Sequence, residues 1–143
     1  DIITAAKDGG APYYTNSSQL PVGHTDDPFR ALAEQEELQS KYTGGTVLHL
    51  YMGEAIDSGE ACATLVRRSL ENFRLPYVTV TPTFSVCAAN GYHSGELEAC
   101  PTCGGEVEVW TRVMGYFRAV ASFNTGKKGE HHERLPFAQR HVA

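Results

Sequence analysis

Apolar positions recur at helical spacing in two stretches of the chain, and three shorter runs read as strands. In the first helical stretch, Phe29, Leu32 and Ala33 share one face and Glu34, Glu37 and Lys41 the other. Asp26-Asp27-Pro28 supplies a capping carboxylate and then proline at the first helical position. The predicted helix runs to about Tyr42 and ends at Gly44-Gly45. Residues 46–52 alternate and predict a strand, with His49 as a packed core residue. Ser58 is the expected N-cap of a second helix reaching about Arg74. Its stripe is Cys62, Leu65, Val66, Ser69 and Phe73, so Cys62 reads as a small buried hydrophobe. Pro76 stops it, and residues 77–81 form a short β-branched strand. Residues 107–113 are the third strand. Residues 1–24, rich in Gly and Pro, are expected to be irregular, with a short extended piece at 13–15. The polar tail at 126–133 is expected to be mobile unless it docks.

A chain of 143 residues is one domain's worth and is long enough to bury a core. No apolar run approaches the ~18–20 residues a membrane-spanning helix needs. The net charge of −5 argues against a general nucleic-acid binder. The charge is uneven: from Arg112 onward there are six basic residues against two acidic ones. That excess reads equally as a solvated tail or as a docking surface for a partner or phosphates. The chain opens at Asp1 without an initiator Met or signal peptide, and is expected to be a fragment or processed piece of a cytoplasmic protein.

Four cysteines occur, at Cys62, Cys87, Cys100 and Cys103. Cys100-Pro101-Thr102-Cys103-Gly104-Gly105 has the form of a metal knuckle, with glycine after the second thiolate so that the loop can close. A second CxxC would complete a four-thiolate zinc site, but three residues after Cys87 stands Asn90. Three completions stay open: His93 as fourth ligand, a water or another residue, or a site that has lost its metal. A redox role for Cys100 and Cys103 is weaker, because no thioredoxin-like βαβ pattern surrounds them.

Gly115 follows the strand at 107–113, and the polar, Gly-containing segment behind it is not expected to continue a strand. It therefore sits at the tip of a loop held from both sides. One reading is a turn glycine, chosen because only Gly tolerates positive φ. The other is chemical. A glycine that loses its α-hydrogen becomes a planar radical conjugated with the amides on each side, and a side chain would crowd that planarity.

Four motifs in order, spread over nearly the whole chain, carry a resemblance. They are Pro12-Tyr13-Tyr14-Thr15-Asn16-Ser17-Ser18-Gln19-Leu20-Pro21, Tyr42-Thr43-Gly44-Gly45-Thr46-Val47, the cysteine cluster, and Arg112-Val113-Met114-Gly115-Tyr116 with Asn124-Thr125-Gly126-Lys127. Together they resemble the C-terminal end of the anaerobic (class III) ribonucleoside-triphosphate reductases. The departure is Asn90, where those enzymes usually carry Cys or His.

The resemblance implies a mixed α/β fold, the C-terminal segment of a ten-stranded α/β glycyl-radical barrel with a zinc knuckle and a radical loop. Residues 1–83 would be barrel-derived, 84–105 the knuckle, and 106–143 the radical loop and tail. Gly115 would carry the radical, with Arg112, Tyr116 and Asn124 holding the loop. Asn16, Ser17 and Ser18 would lie near substrate. Cys87, Cys100, Cys103 and His93 would hold structural zinc. The partners implied are a radical S-adenosylmethionine activating enzyme, the remainder of the reductase chain, a ribonucleoside triphosphate and a second copy in a homodimer. The full enzyme would be allosteric and would make deoxyribonucleotides for DNA replication. No cysteine here matches the thiyl position, so this chain is not expected to be active alone. The rival readings are a zinc-ribbon-like binding module and a stand-alone glycyl-radical spare part.

Overall fold

A computed structural model describes residues 11, 13–16 and 18–141. Helix α1 spans Pro28–Gln39, and Asp27 caps it by accepting from the Phe29 and Arg30 N–H groups. It ends earlier than the sequence predicts, because Ser40 and the following turn use its last carbonyls, so Gly44-Gly45 is not its cap. Its inner face is Pro28, Ala31, Leu32, Gln35 and Gln39, whereas Ala33 faces out. The two buried glutamines satisfy one another, Gln39 Nε2 donating to Gln35 Oε1 at 2.9 Å.

Strand β1 (Leu48–Met52), helix α2 (Gly59–Asn72) and strand β2 (Val78–Pro82) form a βαβ unit with the strands parallel, Leu50 opposite Val80. Every residue of β1 is buried, so the expected alternation gives way to a strand covered on both faces. Ser58 caps α2 as predicted, accepting from Ala61 N at 3.0 Å. Of its predicted stripe, Leu65 and Ser69 are buried, Cys62 is only half-buried and Val66 is exposed. The core is Leu32, Leu48, Leu50, Leu65 and Leu75, with Phe29, Ile56, Phe73, Val80 and Phe137 packed around it.

A second sheet follows at once. Strands β3 (Phe84–Cys87), β4 (Gly91–Ser94), β5 (Val107–Val113) and β6 (Tyr116–Ala119) are all antiparallel, in the order β4-β3-β5-β6. The prediction that no strand follows Gly115 is corrected here. Tyr116–Ala119 pairs with β5, the Ala119 backbone opposite Trp110. Pairing supplies what the polar composition hid, since the ladder needs backbone groups and tolerates Arg118 on an exposed edge.

The tail is docked. Helix α3 (Thr125–His132) is capped by Asn124, whose Oδ1 accepts from Lys127 N at 2.8 Å. Glu130 of α3 is buried between Lys127 and Arg134. The Arg134 guanidinium stacks 3.7 Å from the Tyr51 ring centroid, and Phe137 N donates to Tyr51 O at 2.9 Å. Among the described residues the six strands make two sheets and close no barrel. Among the described residues no helix is long and apolar enough to cross a membrane.

Leu50 is fully buried between these layers, so Leu50→Ala should lower unfolding free energy by about 2–5 kcal/mol. A urea midpoint unchanged from wild type would refute this placement of the core.

Candidate functional site: a glycine tip and a cysteine cluster at opposite ends of one strand

Strand β5 carries one candidate site at each end. At its start, Val107 pairs with Cys87 in β3; at its far end, Val113 pairs with Tyr116 in β6. Seven residues of strand separate them by roughly 20 Å.

At the far end Met114 and Gly115 are the whole connection between β5 and β6. Their φ values are 48° and 94°. Positive φ at both central positions is the type I′ hairpin turn, whose twist matches the flanking strands. Gly115 takes the second position at no steric cost, and a Cβ built on it would meet nothing within 4 Å. The tip is thus open as well as tight. Arg112 grips it. Its Nη1 donates to Gly115 O at 2.8 Å and its Nε to Thr81 Oγ1 at 3.0 Å, while its guanidinium lies 4.6 Å from the Phe117 ring centroid. Tyr116 is 73 % exposed and points away from this network. Asn124 acts at a distance, as the α3 cap.

Thr81 was not singled out in the sequence. Its only signal is its place in a β-branched run, and the parallel pairing of β2 is what brings it under Arg112. His49 lies beside it, Nδ1 sharing a 2.7 Å hydrogen bond with Thr79 Oγ1. Burial, and then the Arg112 and Arg134 cations, hold the His49 imidazole below its ordinary range.

At the other end the Cys87, Cys100 and Cys103 sulfurs all lie within 4.8 Å of one another, and the Cys87 and Cys103 sulfurs are 3.7 Å apart. Two thiolates on a tetrahedral zinc, at about 2.3 Å each, would be about 3.8 Å apart. His93 Nε2 is 3.5 Å from Cys100 Sγ, again the separation a shared tetrahedral ion would set. The β3–β4 hairpin explains the approach. Ser85 faces His93 and Cys87 faces Gly91, so Cys87 and His93 project to the same side. Asn90 instead points its amide nitrogen at Cys87 Sγ and Cys100 Sγ, 3.5 Å from each. Gly104, at φ 69°, closes the knuckle by donating its N–H to Cys100 O at 2.8 Å. The Cys87 thiol is pushed down to about 6 by the Ala89 and Asn90 backbone N–H groups, helped by the Asn90 side chain. The three sulfurs are spaced to share a tetrahedral ion; His93 approaches Cys100, but its ring nitrogens do not lie within 4.8 Å of all three sulfurs.

The remaining predicted residues lie elsewhere. Asn16 Oδ1 accepts from Lys127 Nζ at 2.8 Å, and Ser18 accepts from the Tyr42 hydroxyl. Ser17 lies outside the described residues. Asn16 and Ser18 thus serve to tie the N-terminal segment to α3 and to the loop after α1.

Comparison with known proteins shows the family of the chain. The family model described as anaerobic ribonucleoside-triphosphate reductase matches residues 1–137, and the chain belongs to that family. Among solved structures, one titled anaerobic ribonucleotide reductase matches with a TM-score of 0.61 at 25% identity, over 76% of this chain and 17% of that one. The anaerobic ribonucleotide reductase from Thermotoga maritima, with MES in its active site, matches with a TM-score of 0.53 at 26% identity, over 67% and 16%. The chain thus spans about a sixth of the length of these structures. No curated protein matches it.

Two outcomes follow from the geometry. Protein purified without added metal should contain about one zinc per chain, and His93→Ala should lose most of it on dialysis. Elemental analysis well below one equivalent in the wild type would sink this. For His49, the folded pKa lies below the unfolded one. Its contribution to stability is therefore complete above about pH 6.5 and shrinks as pH falls toward the folded value. His49→Gln should flatten the fall in urea midpoint over that window; an identical pH profile would refute the role.

Proposed function

We propose that this chain is the radical-bearing region of an anaerobic ribonucleoside-triphosphate reductase. The observation that carries the reading is Gly115. It sits at the open tip of a two-residue turn, held from inside by Arg112, in a chain whose family match spans it. Gly115 gives up its α-hydrogen atom to a carbon radical generated by a separate activating enzyme that uses S-adenosylmethionine and an iron–sulfur cluster. The stored radical then takes a hydrogen atom from a cysteine elsewhere in the full reductase, and that thiyl begins reduction of the ribose. None of the four cysteines here suits that step. Cys62 is on α2, and the other three form the cluster.

In this reading residues 1–83 belong to the reductase barrel, 84–105 are a zinc knuckle, and 106–143 are the radical loop and its docked tail. Arg112 and Asn124 hold the loop, and exposed Tyr116 faces the rest of the enzyme. Cys87, Cys100, Cys103 and His93 hold zinc, which fixes the start of β5 and takes no part in the chemistry. Asn16 and Ser18 lie toward the nucleotide, and the full enzyme is a homodimer. The family match does not favour the zinc-ribbon-like binding module or the spare-part subunit.

The test is an anaerobic electron paramagnetic resonance spectrum of the full reductase after incubation with its activating enzyme. A glycine-type doublet is expected, followed on exposure to air by chain cleavage at Gly115. Gly115→Ala should cost only about 1–2 kcal/mol of stability, since the new methyl meets open space but the φ is left-handed. That variant should give neither doublet nor cleavage. A radical-bearing Ala variant would overturn the assignment.

A further inference from the structure

The buried group on and just after α3 carries a surplus positive charge. Lys127 and Arg134 share the single carboxylate of Glu130, and all three side chains are almost out of solvent. The Arg134 guanidinium stacks on the Tyr51 ring, which engages its face but none of the N–H donors along its edges. One edge nitrogen, Nη2, donates to Glu130 Oε1 at 3.1 Å. Among the described residues nothing accepts from Nε or Nη1, although the side chain is only 4 % exposed. Leaving buried donors of a charged group without an acceptor is costly, so their surroundings are informative.

Arg134 forms one wall of a cavity of about 100 Å³, and Tyr51, Thr83, Glu96, His131 and Pro136 are among the others. A water takes about 30 Å³ of liquid, so the space suits an ion of about four heavy atoms. Two more walls carry spare hydrogen-bonding capacity. The Thr83 hydroxyl has only a 3.5 Å contact with Thr111 Oγ1. His131 Nε2 lies 3.1 Å from Glu96 Oε2, and its Nδ1 is buried with no partner among the described residues. Burial holds the His131 imidazole below its ordinary range and so keeps it neutral. With the Nε2 proton toward Glu96, Nδ1 is an acceptor. Glu96 itself is 57 % exposed and engaged with His131, so solvent screens its charge.

We propose that this cavity binds a small planar oxyanion of the carboxylate class, with hydrogencarbonate as the ion whose groups match the walls. Its oxygens accept from Arg134 and Thr83, and its O–H donates to His131 Nδ1. Its charge offsets the surplus of the Lys127–Glu130–Arg134 group. No covalent bond forms or breaks. The ion joins β1, the start of the second sheet and α3, and so fastens the C-terminal segment in its docked position. The site does not depend on Gly115 carrying a radical.

The experiment titrates ¹³C-labelled hydrogencarbonate into the full reductase at constant pH and ionic strength and follows the carbon resonance. A saturable site is expected. Arg134→Gln should weaken it by about tenfold or more, the loss of a charged hydrogen bond. Thr83→Val, which keeps the shape and removes the hydroxyl, should weaken it by a smaller factor and carries the test should Arg134→Gln fail to fold. Lys128→Gln, which removes an exposed cation of the same helix, should leave it unchanged. Acetate has no O–H for His131 and should compete more weakly than unlabelled hydrogencarbonate. Circular dichroism identifies the folded variants. Wild-type affinity in a folded Arg134→Gln or Thr83→Val protein would overturn the site, as would the absence of saturable binding. Displacement by an equal concentration of chloride would overturn the oxyanion assignment, and acetate competing equally would overturn the choice of hydrogencarbonate.

Discussion

Strand β5 is fixed at its two ends by polar groups more than by apolar packing. Only Thr111 and Val113 of its seven residues are buried. At one end the Cys87–Val107 pairing ties it to the cysteine cluster; at the other the I′ turn and Arg112 tie it to β2. A slip of one residue in that ladder would turn every side chain to the opposite face. Arg112 would leave Thr81, and the Gly115 carbonyl would lose its donor. The cluster therefore bears on the tip through register, although the two lie roughly 20 Å apart.

The second constraint is the closure of the C-terminal segment over β1. The leucine core alone leaves Tyr51 and Met52 to be covered by something, and Arg134, Pro136 and Phe137 do it. The buried Lys127–Glu130–Arg134 group gains little net stability, because three charges must leave water. Its effect is geometric. Removing Glu130 would leave two buried cations facing each other, so α3 has one seat. Through Lys127 and Asn16, and through Tyr13 and Glu133, that seat also fixes the N-terminal segment.

Local signals were legible and pairings were not. The Ser58 cap, the Asp27-Pro28 helix start and the bounds of β5 could be read directly, because each depends on residues within a few positions. The α1 terminus was misread because Gly44-Gly45 is the louder signal, while Ser40 closes the helix by backbone bonds with no special side chain. Strand β6 was invisible for the same reason, since Tyr116–Ala119 is a strand only because β5 lies beside it. At the cysteine cluster, spacing identified three sulfurs, but the approach of His93 is a consequence of the β3–β4 pairing. Asn90 looked like a broken ligand position. In three dimensions its amide nitrogen lies 3.5 Å from two of the sulfurs.

These features divide the labour within the chain. Its four cysteines are accounted for by α2 and by the cluster at the far end of β5 from Gly115. What the chain does contain is an unusually complete set of restraints on one backbone position: a paired strand on each side, a cation on the carbonyl, and a buried hydroxyl beneath the cation. Restraints of this kind would be excessive for an ordinary hairpin, which Asn-Gly or Gly-Gly closes without help. Here the first turn position is Met114, held at φ 48° against its own side chain's preference. A non-glycine residue persists there when its surroundings over-determine the conformation. The surroundings in question are the Arg112 bonds, and they point at the same glycine.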